Sequence, residues 1–248
     1  MNKTLVRTAL IGSTLVTAFF LASVGLSSDK ADTKLAQATT ATPRQRTQEA
    51  QAKMSPQEAI DKLRAGNARF VAGKTRARDL QAEVRSTAGG QYPFAVILSC
   101  LDSRQPVELL FDQGIGDVFN ARVAGNVLND DILGSMEFAC KVAGAKLVLV
   151  MGHTSCGAIK GAIDKVELGH LTGLLARIRP AVQAAAFRGE RSGKNPAFVD
   201  AVARKNVELT VAGIRKNSPV LRELESGGAL KIAGAMYHLG TGVVEFFD

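Results

Sequence analysis

The sequence predicts an α/β protein built on a mostly parallel central β-sheet flanked by helices. Short apolar runs rich in β-branched residues alternate with longer segments that carry apolar residues at helical spacing. Such alternation favours parallel pairing, because a parallel crossover needs a long connection, which is usually a helix covering one face. With 248 residues, the chain is long enough for one such domain with a sizeable core.

The first helix of this domain is expected to begin at Ser55. This residue is a good N-cap, Pro56 suits the first helical position, and Glu58 completes a capping box. Apolar residues recur at helical spacing up to Val71, and the helix should end near Gly73. The polar residues 74–90 are expected to form a loop.

The remaining elements follow the same alternation, with a final edge strand. Strands are predicted at Phe94–Ser99, Asp117–Ala121, Lys146–Met151, Leu230–Met236 and Val243–Phe247. Helices are predicted at Val107–Phe111, Asp131–Ala143, about Ser155 to Asp164, Leu171–Phe187, Ala197–Lys216 and Pro219–Leu224. Most of the strands are therefore separated by helical segments that can cover the sheet.

The amino-terminal residues have the form of an export signal. A basic start with Lys3 and Arg7 precedes residues 8–28, which carry no charge and are mostly apolar. Ala36-Gln37-Ala38 is a small-x-small cleavage site before Thr39. Cleavage there would place the mature protein in the periplasm or an equivalent extracytoplasmic compartment. An uncleaved membrane anchor is the alternative, because the uncharged run is about long enough to span a bilayer.

These features divide the chain into three parts. We expect a signal peptide or anchor over residues 1–38, a flexible linker over 39–53 and the folded domain over 54–248. The linker is rich in Ala, Thr and Gln and has few large apolar residues with which to bury surface.

Charge and cysteine content narrow the classes of function. The chain carries 31 Lys+Arg against 23 Asp+Glu, but this excess does not gather into a basic stripe, and Trp is absent. Both facts argue against nucleic-acid binding. The three cysteines form no disulfide framework, because their number is odd and low.

Potential metal ligands end two of the predicted buried strands. Cys100 and Asp102 follow the first strand, and His153 and Cys156 follow the third. Because the carboxyl ends of parallel strands converge on one crevice, these side chains can meet there. Zinc takes Cys and His readily, and three ligands with an open fourth position are typical of a catalytic site. The alternatives are buried thiols or a cystine, together with a structural histidine.

A carboxylate and a guanidinium lie beside the first cysteine. Asp102 and Arg104 have alternate spacing, so on an extended segment they can form a bidentate ion pair. With Arg104 engaged, Asp102 would stay off the metal, and otherwise it could take the fourth position. The alternatives are a helix cap and a surface ion pair worth under about 1 kcal/mol. Cys140 is expected to fill the core.

These residues resemble those of the β-class carbonic anhydrases. Cys100-Leu101-Asp102-Ser103-Arg104 is similar to the family's Cys-x-Asp-Ser-Arg signature, and His153-Thr154-Ser155-Cys156-Gly157 to its His-x-x-Cys-Gly signature. The likeness extends over most of the chain after residue 54. It includes Gly66-Asn67-x-Arg69-Phe70, Phe111-Asp112-Gln113-Gly114 with Gly116-Asp117, Arg122-Val123-Ala124-Gly125-Asn126 and Tyr237-x-Leu239-x-Thr241-Gly242-Val243.

The resemblance implies a zinc enzyme that reversibly hydrates carbon dioxide to bicarbonate and a proton by attack of zinc-bound hydroxide. Its implied zinc ligands are Cys100, His153 and Cys156, with Asp102 as an occasional fourth ligand gated by Arg104. The implied contacts to substrate come from Gln91, Phe119, Ala124 and Gly157. Family pockets form at a dimer interface, where the N-terminal helix packs on the partner subunit, so a homodimer or tetramer is expected.

The sequence departs from the family pattern at one further site. Some members hold an inhibitory bicarbonate between a Trp, an Arg and a Tyr, and Arg122 matches the Arg, but Ile97 stands in place of the Trp. Two other functions are open: hydrolysis of COS or CS₂ at the same zinc, and a zinc protein without catalysis. The presence of Gln91, Asp102 and Arg104 argues against the second, because metal retention alone does not need them.

Overall fold

A computed structural model describes residues 47–247. Its sheet has five strands in the order β2-β1-β3-β4-β5, in which the first four are parallel and β5 is an antiparallel edge strand. The strands are β1 Ala95–Ser99, β2 Val118–Arg122, β3 Leu147–His153, β4 Lys231–Tyr237 and β5 Val244–Phe246. The predicted α/β fold with a mostly parallel sheet is therefore confirmed.

Ten α-helices surround the sheet within the described part of the chain. They are α1 Gln48–Lys53, α2 Pro56–Val71, α3 Leu80–Thr87, α4 Val107–Leu110, α5 Asp130–Glu137, α6 Gly157–Ile163, α7 Gly169–Ala176, α8 Arg179–Ala184, α9 Pro196–Asn217 and α10 Pro219–Ser226. Two further turns are a 3₁₀ turn at Ala124–Asn126 and a π-helical turn at Phe138–Val142. None of the helices within residues 47–247 is long and apolar enough to cross a membrane.

The two central strands β1 and β3 are buried along their whole length, as their apolar sequences predict. Their register pairs Ser99 with Met151, so both strands end at the same edge of the sheet. Two apolar cores lie on opposite faces of these strands, because alternate residues of each strand belong to different cores. The candidate metal ligands follow Ser99 and Met151 in the sequence and therefore lie at this carboxyl edge of the sheet.

Helix α2 begins as the sequence predicts. The Ser55 side chain accepts a hydrogen bond from the Glu58 amide at 3.2 Å, and the Glu58 carboxylate accepts one from the Ser55 amide at 2.7 Å. This reciprocal capping satisfies two amides that have no partner within the helix.

The expected linker includes an ordered helix at its carboxyl end, which corrects the prediction for residues 48–53. Helix α1 is held by Gln51, a buried residue whose Nε2 donates to the carbonyl oxygens of Pro93 at 2.6 Å and Ala143 at 2.7 Å. A linker was predicted because this segment has few large apolar residues. The Gln51 side chain anchors α1 in place of an apolar face. The expected signal and the rest of the linker, residues 1–46, lie outside the described residues.

Helix α3 lies within residues 74–90, where a loop was predicted. Asp79 caps it by accepting a hydrogen bond from the Ala82 amide at 2.9 Å. The buried carboxylate of Glu83 contacts Arg78 at 3.3 Å and accepts from the Ile115 amide at 2.9 Å. Polar contacts therefore anchor this helix, which has no buried apolar stripe for periodicity to detect.

The predicted helix Leu171–Phe187 is two helices, α7 and α8. Pro180 lies in the first turn of α8, where its missing amide is tolerated, whereas inside one continuous helix it would remove a hydrogen bond. Helix α6 begins at Gly157, two residues later than predicted, and β3 continues to His153. The predicted helix Asp131–Ala143 starts at Asp130 and changes to a π-helical turn after Glu137.

Candidate metal centre

Three side chains converge at the carboxyl edge of β1 and β3. The ligand atoms of Cys100, His153 and Cys156 all lie within 4.8 Å of one another, and all three residues are buried. Cys100 follows β1, His153 is the last residue of β3, and Cys156 is the N-cap of α6. The predicted convergence of these three residues is confirmed.

The loop after β1 is held by hydrogen bonds between side chains and the loop backbone. The buried Gln105 side chain accepts a hydrogen bond from the Cys100 amide at 3.2 Å. From the end of β2, the Arg122 guanidinium donates to the carbonyl oxygens of Cys100 at 3.0 Å and Asp102 at 2.5 Å. Arg122 therefore fixes the path of the loop from the neighbouring strand, while Ile97 is buried in the core.

The sulfur of Cys100 has the environment of a thiolate. Donation from the Cys156 thiol, followed by contacts with His153 and the Gly125 amide, lowers the pKa of Cys100 to about 4. The Gly125 nitrogen lies 3.3 Å from the Cys100 sulfur. Because Cys156 is the donor to that sulfur and is itself buried, its pKa is raised. The two sulfurs therefore share a hydrogen bond that favours the thiolate form of Cys100.

The orientation of His153 leaves one ring nitrogen ready to bind a metal. Its Nδ1 lies 2.9 Å from the Thr154 carbonyl oxygen, which can only accept, so Nδ1 carries the proton. The other ring nitrogen, Nε2, is buried and has no hydrogen-bond partner among the described residues. A metal ion is the partner that such a nitrogen ordinarily takes.

The turn between His153 and Cys156 is stabilised by the long helix α9. Ser155 has a φ of 55°, in the left-handed region that non-glycine residues seldom adopt. The Asp200 carboxylate accepts a hydrogen bond from the Ser155 amide at 2.9 Å. This contact stabilises the turn that brings His153 and Cys156 close together in space, although they are three residues apart in the sequence.

Asp102 and Arg104 form the predicted bidentate pair. Arg104 Nε donates to Asp102 Oδ1 at 2.9 Å, and its Nη2 donates to Oδ2 at 2.7 Å. These hydrogen bonds hold the pKa of Asp102 below its usual range. Asp102 Oδ2 also lies 3.8 Å from His153 Nε2, so the carboxylate stands beside the three ligands.

The four residues expected to contact substrate are not gathered around the cluster in one chain. Ala124 lies in the 3₁₀ turn beside Gly125, whose amide contacts Cys100. The exposed Gly157 begins α6 directly after Cys156. Phe119 lies on the edge strand β2, half-buried, with its ring 6.3 Å from that of Phe138. Gln91 precedes β1 and is exposed at the end of that strand opposite to Cys100.

The chemistry of the cluster fits a zinc ion. In a tetrahedral site with bonds of about 2.0–2.3 Å, ligand atoms lie roughly 3.3–3.8 Å apart, which the spread of these three atoms can accommodate. Thiolate sulfur and neutral imidazole are the donors that zinc prefers. A divalent cation would also replace the proton between the two cysteine sulfurs. It would give the buried nitrogen of His153 a partner.

Sequence reasoning did not identify three residues that support the cluster: Gln105, Asp200 and Asn206. The first two contact backbone atoms of the ligand loops, and Asn206 Nδ2 donates to the Gly125 carbonyl oxygen at 2.8 Å. A signal existed for Asn206, which interrupts the apolar face of a predicted helix. No spacing rule points to the other two. Cys140 is buried and lies outside the group, as expected.

The fold and the cluster together define an α/β protein with a buried Cys-His-Cys group, able to hold a metal ion, at the carboxyl edge of a parallel sheet. A family model described as carbonic anhydrase matches residues 95–244. Carbonic anhydrase 2 of Mycobacterium tuberculosis is 38% identical over 194 residues, covering 76% of this chain and 91% of that protein. The carbonic anhydrase of Pseudomonas aeruginosa is 30% identical over 171 residues, covering 66% of this chain and 77% of that protein.

Solved structures agree with the sequence relatives. The crystal structure of the β-carbonic anhydrase CafA of Aspergillus fumigatus superposes with a TM-score of 0.60 at 26% identity, covering 77% of this chain and 90% of that one. The chain belongs to the β-carbonic anhydrase family, which is a family of enzymes.

Proposed function

We propose that this protein catalyses the reversible hydration of carbon dioxide to bicarbonate and a proton. The observation that carries the proposal is the cluster of Cys100, His153 and Cys156, with the carboxylate of Asp102 held beside it by Arg104. Zinc bound there would supply a Lewis acid that brings the pKa of a water molecule toward neutrality.

The residues of the chain have separate parts in this reaction. Cys100, Cys156 and His153 Nε2 would hold the ion and leave a position open for water. The Asp102 carboxylate is ionised at neutral pH, and its hydrogen bonds from Arg104 lower its pKa further, so it would serve as a hydrogen-bond acceptor for the attacking water. With two thiolates in the ligand set, the ion is a weaker Lewis acid than with three histidines.

Arg104 is proposed to gate the fourth position. Asp102 Oδ2 is 3.8 Å from His153 Nε2, so the carboxylate lies close enough to the three ligands to compete for that position. The planar guanidinium opposes that rotation with two hydrogen bonds and keeps its charge at any relevant pH.

Gln91 is proposed to act on the site of a partner subunit. It lies nine positions before Cys100, and the five residues of β1 between them alone span about 17 Å at 3.3 Å per residue. A glutamine at that end of the strand reaches a bound substrate only across an interface. The assembly this requires is a homodimer, alone or within a tetramer.

The experiment that tests the activity measures metal content and CO₂ hydration on the same purified protein. We expect about one zinc per chain and a hydration rate that is lost together with the metal in Cys100→Ser. Cys140→Ala is the matched control, because it changes a buried cysteine outside the cluster. COS and CS₂ are supplied as competing substrates.

The outcomes of this experiment are distinct. Full zinc occupancy in Cys100→Ser would overturn the ligand assignment. A zinc-loaded protein that hydrolyses COS or CS₂ in preference to hydrating CO₂ would overturn the substrate, and one inert to all three would indicate a protein without catalysis.

We further propose that the protein is exported. The basic start, the uncharged residues 8–28 and Ala36-Gln37-Ala38 support cleavage before Thr39. Mass spectrometry of the protein from its native cells should give an amino terminus near Thr39. Intact Met1 in a soluble cytoplasmic fraction would contradict export, and intact Met1 in the membrane fraction would replace cleavage by anchoring.

A further inference from the structure

Helix α9 carries a buried amide on the face that packs against the sheet. Its buried residues recur at helical spacing and are otherwise mostly apolar: Phe198, Val199, Val202, Ala203, Asn206, Val207, Thr210 and Ile214. Asn206 is only 4% exposed. Burying an amide is unfavourable unless it is hydrogen-bonded, so the partner of Asn206 shows what the residue does.

That partner is the glycine which contacts the sulfur of Cys100. Asn206 Nδ2 donates to the carbonyl oxygen of Gly125 at 2.8 Å. The amide nitrogen of the same glycine lies 3.3 Å from Cys100 Sγ and donates to it. One residue therefore joins the helix amide to the ligand sulfur through two hydrogen bonds, one on each side of its α-carbon.

Gly125 is confined in position, and its orientation depends on hydrogen bonds. Its φ of 67° favours glycine, and a β-carbon there would lie 2.6 Å from Cδ1 of the buried Ile178. Packing thus requires a glycine, but a glycine is also the residue whose flanking peptides rotate most freely. The hydrogen bond from Asn206 fixes the peptide that follows Gly125 and so removes one of the two rotations through which this glycine could turn its amide away from the sulfur.

We propose that Asn206 is a positioning residue of the metal centre, which holds Gly125 so that its N–H stays directed at Cys100 Sγ. The inference rests on the proposed metal site. An N–H donor placed on a thiolate ligand orients the sulfur and neutralises part of its charge. Contacts of this kind typically change metal affinity or activity 10- to 100-fold.

The test compares metal binding by Asn206→Leu with that by the unaltered full-length protein. Leucine has the same branched shape and number of heavy atoms and no donor, so it releases Gly125 without opening a cavity. Zinc affinity is measured by competition with a chelator, and the ligand environment by the sulfur-to-metal absorption of the cobalt-substituted protein. We expect zinc affinity to fall about 10-fold and the cobalt absorption to shift.

Ile214→Val is the matched control, because Ile214 lies two turns further along the same buried face of α9. It should lower thermal stability and leave zinc affinity within about two-fold of the unaltered protein. Asn206→Ser, which shortens the donor, is a second variant in case Asn206→Leu does not fold, and it should show the same direction of change.

The inference is overturned if the folded Asn206 variants bind zinc with the affinity of the unaltered protein and their cobalt-substituted forms have the same absorption spectrum. It is also overturned if Ile214→Val loses as much zinc affinity as they do. An unaltered protein that binds no zinc is a different result, since it rejects the metal site itself.

Discussion

Arg104 reaches Asp102 from the solvent side of the candidate site. Its side chain is 58% exposed, whereas that of Asp102 is 15% exposed. An ion pair with one partner in water contributes little to folding stability. Substitutions at Arg104 should therefore report on the state of the site and leave the fold intact.

We expect Arg104→Ala to retain zinc and to lose CO₂ hydration about 10- to 100-fold, because the released carboxylate can take the fourth position. Arg104→Lys should restore little, since an ammonium group cannot form the planar fork. The measurements are metal content, hydration rate and the zinc coordination sphere by X-ray absorption.

Asp102→Asn is the companion variant. It should also retain zinc and lose activity, but without gaining an oxygen ligand from residue 102. Near-normal turnover in Arg104→Ala, with water still on the metal, would reduce the pair to a structural contact.

The ligands could be predicted from sequence, but their supports could not. Cys100, His153 and Cys156 lie at strand ends, where local pattern and parallel topology bring side chains together. Asp200 acts instead through a backbone amide 45 residues away along the chain. Such a contact depends on how α9 lies on the sheet, which no local spacing encodes.

At the scale of elements, the end of α9 is joined to α10 and β4 by one ion pair. Arg215 donates to both carboxylate oxygens of Glu225 at 2.8 Å and to the Ile232 carbonyl at 2.8 Å. The carboxylate of Glu225 in turn accepts from the Ile232 amide at 3.2 Å. Three elements therefore meet at a single charged contact.

Hydrogen bonds from Arg215 lower the pKa of Glu225 below its ordinary value of 4.5. A carboxylate with a lowered pKa stabilises the fold above that ordinary value, and the stabilisation is lost as the pH falls through the lowered pKa. Glu225→Gln should thus reduce the free energy of unfolding by about 1 kcal/mol at pH 7, and the difference should shrink as the pH falls from 7 through the lowered pKa of Glu225.

Urea unfolding of both proteins across this pH range measures the difference. The exposed Glu223 on the same helix provides the control, and Glu223→Gln should show no such pH-dependent gap. A gap that persists unchanged at low pH would mean that the charge of Glu225 is not its source.

The sequence predicted elements best where burial is apolar. The strands β1 and β3 and the helices α2 and α9 carry apolar residues at strand or helix period, and all four were located within two residues. Helix α3 was missed because Leu80 and Val84 remain exposed and the buried residue is Glu83. A helix anchored by ion pairs has no apolar period to read.

At the scale of the whole molecule, the proposed role of Gln91 requires complementation between subunits. A chain with Gln91→Ala keeps its metal ligands, and a chain with Cys100→Ser keeps its glutamine. If each site combines the ligands of one subunit with the glutamine of its partner, one of the two sites in a mixed dimer is intact.

We therefore expect a mixture of these two variants, dissociated and reassembled together, to hydrate CO₂ faster than either variant alone. The rate per mixed dimer should approach half that of the unaltered protein. Size-exclusion chromatography checks that each variant assembles. No gain on mixing, with mixed dimers present, would place Gln91 outside the partner's site.

The register of β1 and β3 has a consequence for how the protein acquires its metal. The backbone hydrogen bonds that pair Ser99 with Met151 hold the two ligand-bearing strand ends together through the sheet itself. Little binding energy then has to be used for ordering the chain, in contrast to small zinc domains that fold only on the ion. We therefore expect the metal to enter an already folded scaffold, so that chelation empties the site reversibly and added zinc restores hydration without refolding.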